Sequence, residues 1–261
     1  MPEGVPDAVS RSFTSLIPAI ATLSVFTLVN AFVSGAFSTN LHDVIYKFIQ
    51  QPLTGLGSSL PATLLALLLT QMLWFFGLHG QVIINSVMEP IWQALALENL
   101  TAFESGQDLP HIITKSFMDT FTVSLGGTGM TLMVVILMAF VMKSKQMKEI
   151  GRLAIGPGIF NVNEPVIFGL PIVLNASVVI PWVLTPLVVT TFNYFMMASG
   201  IFPATTGVIV PWTMPLFFSG MMATNSLMGG VLQLIDVAIV ALIWFPFLKA
   251  QDKVNLAFEE K

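Results

Sequence analysis

The chain has 261 residues, 55% of them hydrophobic and only 9% charged, with a formal net charge of −4 and a mean hydropathy of +0.84. Too few charges are present to coat a water-soluble surface, so the composition implies an integral, multi-pass membrane protein with stretches near the roughly 20 residues that span a bilayer as a helix. The same composition excludes a membrane β-barrel, which needs strict alternation, nucleic-acid binding, because Lys and Arg form no stripe, and all cysteine chemistry, since there is no cysteine for a disulfide, a thiolate, a metal or a phosphocysteine on this chain. The expected fold is all-α: a polytopic transmembrane helical bundle with broken or re-entrant segments.

The opening MPEGVPDAVSRSF lacks the basic start, short apolar core and cleavage site of a signal peptide. Residues 1–15 read as a linker, and the chain as the later part of a longer protein with a preceding N-terminal half. Residues 16–59 are expected to hold a transmembrane helix, about Leu16 to Phe37, and then a helix lying on the membrane, because Leu41, Val44, Ile45, Phe48 and Ile49 recur at helical spacing against His42, Asp43, Lys47 and Gln50. Residues 60–248 form the main transmembrane domain. Its second span, about Leu60 to Phe76, opens at Gly77 and Gly80 around His79. Val82 to Leu97 is short and interrupted by Glu89-Pro90, which leaves a re-entrant element and a surface helix both open. Asn99 to His111 reads as a polar loop, and a third span, about Met118 to Met142, carries the GGTG of Gly126 to Gly129.

Lys143, Lys145, Lys148 and Arg152 form the densest basic cluster and mark the cytoplasmic side. Spans at about Ser177 to Ser199 and Val231 to Leu248 follow, with Ile201 to Met228 broken or re-entrant around Pro203, Pro211 and Pro215, and residues 249–261 form a cytoplasmic tail. Between the basic cluster and these spans lies GPGIFNVNEPVIFGLPIVLN, Gly156 to Asn175, whose prolines and glycines forbid one continuous helix and predict a re-entrant hairpin. Glu164 is isolated there, the nearest charged residues in sequence being Arg152 and Asp236. A carboxylate buried on broken backbone at membrane depth is a functional-site candidate, and paired Pro/Gly-interrupted segments point to a transporter binding site.

Asp119 and Asp236 fall near predicted span ends, so a solvated or helix-terminal role is favoured over ion coupling. Trp74, Trp92, Trp182 and Trp244 are assigned to the interfacial belt or to packing, His42 and His111 to the surface. No His, Asp or Glu cluster has metal-ligand spacing.

The stretch Gly156 to Asn175, the LHG around His79, the GGTG and the PWTMP around Trp212 together resemble the membrane subunit, enzyme IIC, of a bacterial sugar phosphotransferase system of the lactose/cellobiose/diacetylchitobiose family. The resemblance covers essentially the whole chain and corresponds to the C-terminal three-fifths of such a protein. It implies a multi-pass permease in the bacterial cell membrane that takes up a β-linked disaccharide, without a cofactor, and presents it to enzyme IIB, whose phosphocysteine phosphorylates the C6 hydroxyl. It also implies a homodimer in the full-length form, and it places Glu164 and His79 beside the reacting hydroxyl as the catalytic pair. A disaccharide needs donors, acceptors and flat apolar faces, and Asn161, Asn163, Gln81 and Trp212 supply these around Glu164 and His79. The GGTG lacks the Lys-Ser/Thr ending of a P-loop; close packing, or backbone contact to sugar at Gly127 and Thr128, is expected instead. Two rivals are an ion-coupled secondary transporter working through Glu164 and His79, and a truncated chain that binds sugar without transporting it.

Overall fold

The structure, a computed structural model, describes residues 7–37, 39 and 57–259, and the surface helix expected at Leu41 to Leu53 lies outside the described residues. Among the described residues there are helices and turns but no strand, as an all-α fold requires. The chain divides into two units, Met1–Thr54 and Gly55–Lys261. In the first, α1 (Asp7–Phe37) begins within the stretch read as a linker and continues through Pro18. Its apolar part, Leu16–Ala36, is long enough to cross a membrane. Thr22 and Thr27 donate their hydroxyls to the carbonyls four residues back, which hides polar groups on an apolar helix.

The second unit opens with α2 (Leu60–Phe75), a Leu-rich helix started by Ser59, whose Oγ accepts from the amide of Ala62, and by a proline in the first turn. α3 (Gly80–Glu104) follows as one 25-residue helix. The interruption expected at Glu89-Pro90 does not occur: a proline inside a packed helix costs one backbone bond without ending it. Asn99, predicted to open a loop, is instead buried on α3. Its side chain accepts from the amide of His111 and donates to the carbonyls of His111 and Thr205.

The predicted third span is divided. A single turn, α4 (Lys115–Met118), runs into a π turn (Asp119–Val123), a non-helical loop follows, and α5 (Leu132–Phe140) completes the segment. α6 (Lys145–Ile159) accommodates Gly156, Pro157 and Gly158 in its last turns and breaks only at Phe160 to Asn163, after which come α7 (Glu164–Gly169) and α8 (Val179–Ala198). A long segment without regular structure leads to α9 (Phe218–Thr224) and then to α10 (Leu227–Glu259). α8 and α10 are long and apolar enough to cross a membrane.

α10 continues through Pro246 into the stretch read as a tail, and that extension is used. Asp252 accepts hydrogen bonds from the amides of Lys143 and Ser144, and Glu259 from the amides of Lys145 and Gln146 and the Ser144 hydroxyl. Two carboxylates therefore satisfy the exposed N–H groups at the start of α6, where the helix dipole also favours negative charge. The anchored α6 carries the bend at Phe160 to Asn163. Behind the bend, Val135, Met138, Val166, Ile167, Trp182 and Trp244 pack in one core, while Leu67, Trp92, Phe117, Phe121 and Leu232 form a second.

Candidate functional site

One cavity of about 380 Å³ is lined by all eight residues singled out from the sequence: His79, Gln81, Gly127, Thr128, Asn161, Asn163, Glu164 and Trp212. That volume lies within the range of small-molecule sites.

The wall is built by two asparagines. Asn161 stands at φ 65°, a left-handed conformation that Asn tolerates. Its Oδ1 accepts from the amide of Gly126 at 2.9 Å, and its Nδ2 donates to the carbonyls of Trp212 at 2.7 Å and Met214 at 3.1 Å. Asn163 Nδ2 donates to the carbonyl of Thr128 at 2.6 Å and to Thr131 Oγ1 at 3.2 Å. Both amide hydrogens of each asparagine are thus committed to holding the glycine-rich loop and the Trp212 segment against the bend. The loop needs its glycines: Gly127 has φ 85° and a side chain there would strike the backbone of Asn161, while a Cβ on Gly129, at φ 84°, would lie 2.3 Å from the Trp182 ring. The close packing expected of this loop is therefore real.

Other groups are left available. Glu164, at the start of α7, was expected to be buried; it is exposed into the cavity, because the bend and Pro165 turn the chain at its edge. Among the described residues its carboxylate has no hydrogen-bond or ion-pair partner. His79 caps α3, its Nδ1 accepting from the amide of Val82 at 3.3 Å. In the neutral ring that leaves the proton on Nε2, which is free to donate. The ring lies 4.3 Å from that of Trp74. Gln81 Nε2 donates to Asn85 Oδ1, and Trp212 is 55% exposed.

Seven lining residues were not assigned to the site by sequence reasoning: Val82, Asn85, Val123, Trp74 and a charged trio. Trp74, taken for a belt or packing residue, lines the cavity with a buried indole N–H that has no partner among the described residues; Trp92, Trp182 and Trp244 are buried packing residues. Glu89, Lys115 and Asp119 form a charged group in the same cavity: Lys115 Nζ lies 2.5 and 2.6 Å from the Asp119 oxygens and 3.6 Å from Glu89 Oε1. The four-residue spacing of Lys115 and Asp119 was the available signal. Asp119 is thus paired rather than solvated, and Asp236 is fully buried, more than two turns inside the N-terminal end of α10. With Glu89, Asp119 and Glu164 against Lys115, the lining carries three acids and one base, a formal charge of −2.

A family model described as phosphotransferase system, EIIC, matches residues 1–186. The chain is 60% identical over 261 residues to the oligo-beta-mannoside-specific EIIC component of Bacillus subtilis (strain 168), covering 100% of this chain and 59% of that protein. It is 41% identical over 263 residues to the cellobiose-specific EIIC component of Geobacillus stearothermophilus, covering 100% of this chain and 58% of that one. It is 34% identical to the lactose-specific EIICB component of Lacticaseibacillus casei, over 100% of this chain and 45% of that one. The crystal structure of the transporter ChbC, the IIC component from the N,N'-diacetylchitobiose-specific phosphotransferase system, matches with a TM-score of 0.81 at 41% identity, over 100% of this chain and 60% of that one. The chain therefore spans three-fifths or less of the length of these relatives. Matched by the family model over most of its residues and by relatives over all of them, the chain belongs to the EIIC family of phosphotransferase-system membrane permeases.

Proposed function

We propose that this chain is the sugar-binding and translocating part of a phosphotransferase permease in the bacterial plasma membrane. It takes a β-linked disaccharide from outside and presents the C6 hydroxyl to enzyme IIB on the cytoplasmic side, where the basic cluster at the start of α6 lies; the full-length form is a homodimer. The observation that carries this reading is the pairing, in one cavity, of an unpartnered carboxylate, Glu164, with the free Nε2–H of His79. The names of the relatives, for oligo-beta-mannoside, cellobiose and lactose, support a β-linked sugar.

In this reading Trp212 and Trp74 offer faces to the sugar rings, and His79 Nε2–H orients the hydroxyl. Glu164 accepts the hydroxyl proton as the oxygen attacks phosphorus and the S–P bond of the IIB phosphocysteine breaks, leaving a thiolate on IIB. Once Glu164 has released that proton to water, the phosphorylated product faces a lining of formal charge −2. At an effective dielectric of about 20, two like unit charges about 8 Å apart repel by roughly 2 kcal/mol. That repulsion opposes rebinding and makes import one-way without an ion gradient.

The experiment is equilibrium binding of a sugar panel to the purified chain in lipid nanodiscs. Saturable binding of cellobiose, mannobiose, diacetylchitobiose or lactose, with none of α-linked maltose, is expected; failure of every β-linked sugar to bind contradicts the reading. In vesicles with the full phosphotransferase chain, the imported sugar should be phosphorylated, whereas unmodified sugar would point to ion coupling.

A further inference from the structure

Away from the cavity, α8 and α10 enclose a second polar contact. Asp236 and Asn193 are both 0% exposed. Asn193 Nδ2 donates to Asp236 Oδ2 at 2.9 Å, while the two remaining oxygens, Asp236 Oδ1 and Asn193 Oδ1, are buried and have no hydrogen-bond partner among the described residues. Of the helices packed most closely on α10, α8 carries Tyr194 as its one titratable residue, and α5 and α9 carry none. Among the described residues no Lys, Arg or His pairs with Asp236.

An ionised Asp236 would have one protein donor for a whole buried carboxylate and would leave the buried amide oxygen of Asn193 unbonded, an arrangement that burial penalises twice. A single proton removes both orphans. As a carboxylic acid, Asp236 would have an O–H at Oδ1 to offer to Asn193 Oδ1 while it accepts from Asn193 Nδ2 at Oδ2. Exchanging the oxygen and nitrogen of the Asn193 amide only moves the proton to the other carboxyl oxygen, so the pairing survives either assignment.

We propose that Asp236 is a resident-proton site: it is carried as a neutral acid locked to Asn193, joining α8 to α10 by two reciprocal hydrogen bonds, and it moves no ion during transport. In lipid, where no water competes, such a pair fixes the helices' rotation relative to each other. The inference is independent of the identity of the sugar and of the roles of Glu164 and His79.

Infrared spectroscopy of the purified chain in lipid reads the proton directly. A protonated-carboxyl C=O band is expected at neutral pH, lost in Asp236→Asn and shifted to higher frequency in Asn193→Ala, where the acid loses its amide partner. Asp236→Asn keeps the thermal midpoint, because its side-chain N–H replaces the acid O–H, and Asp236→Ala lowers it. Exchanging choline for sodium leaves the wild-type midpoint unchanged. The proposal is overturned if the wild-type chain shows no protonated-carboxyl band at neutral pH, whether or not the variants fold, or if the band persists in Asp236→Asn. A sodium-dependent rise in midpoint that disappears in Asp236→Asn would equally overturn it and mark a cation site instead.

Discussion

Asn161 and Asn163 stand beside Glu164 in one short stretch and are used in opposite ways. The asparagines are buried and have both amide hydrogens bonded; they hold two loops in place. Glu164 is exposed to the cavity and bonded to nothing among the described residues. In an apolar protein a polar group is either spent on structure or kept for a ligand, since leaving it buried and unmet is costly. Neighbours in sequence can therefore divide the two tasks.

Substitutions can break this division or sharpen it. The largest effect is expected from Asn161→Ala, which strands the Gly126 amide and the Trp212 and Met214 carbonyls at about 1–3 kcal/mol for each buried group left unmet. A thermal melt of the purified chain should show a large drop, with sugar binding lost alongside; an unchanged melt would mean that the asparagine is no scaffold. His79→Asn comes next. Asn keeps an N-cap acceptor but removes the imidazole, so stability should hold while IIB-dependent phosphorylation falls by about 10²-fold or more. Equal loss of stability and activity would show that His79 acts only as a cap. Glu89→Gln takes the lining from a formal −2 to −1. Affinity for the phosphorylated product should then rise by about tenfold, corresponding to roughly 1.4 kcal/mol, with little change for the neutral sugar, both measured by competition binding. The smallest effect is expected from Trp212→Phe, which keeps a ring face and should weaken sugar binding by no more than a few-fold, about 0.5–1 kcal/mol; Trp212→Ala should do more.

The sequence made the cavity unusually legible because its signals are local. Pro165, the glycines and a lone acid mark the bend without reference to any distant residue, whereas His79 enters through the resemblance carried by LHG, and its place as the cap of α3 is seen only in the structure. What escaped notice depends on contacts that are remote in sequence. Asp252 and Glu259 looked like tail residues because their partners lie more than a hundred positions away, at Lys143 to Gln146. Asp236 looked terminal because the apolar run was bounded at Val231, whereas the helix starts at Leu227 and the residue is buried against Asn193 of α8, 43 positions away. Glu89 was read only as part of an interruption with Pro90, yet α3 runs through it and its carboxylate lies 3.6 Å from Lys115 Nζ. The π turn holding Asp119 has no sequence signature of its own, and Gln233 on α10 supports it by donating to the carbonyl of Thr120.

The central claim, that Glu164 is held free to act on a sugar hydroxyl while its neighbours build the wall, is tested most directly by Glu164→Gln. Phosphoryl transfer from enzyme IIB to bound cellobiose, or to whichever β-linked sugar binds best, should be followed together with the melting temperature and the sugar affinity. The account predicts an unchanged melt, affinity within a few-fold of wild type, and a transfer rate lower by about 10²–10⁴-fold. Transfer at the wild-type rate would contradict it.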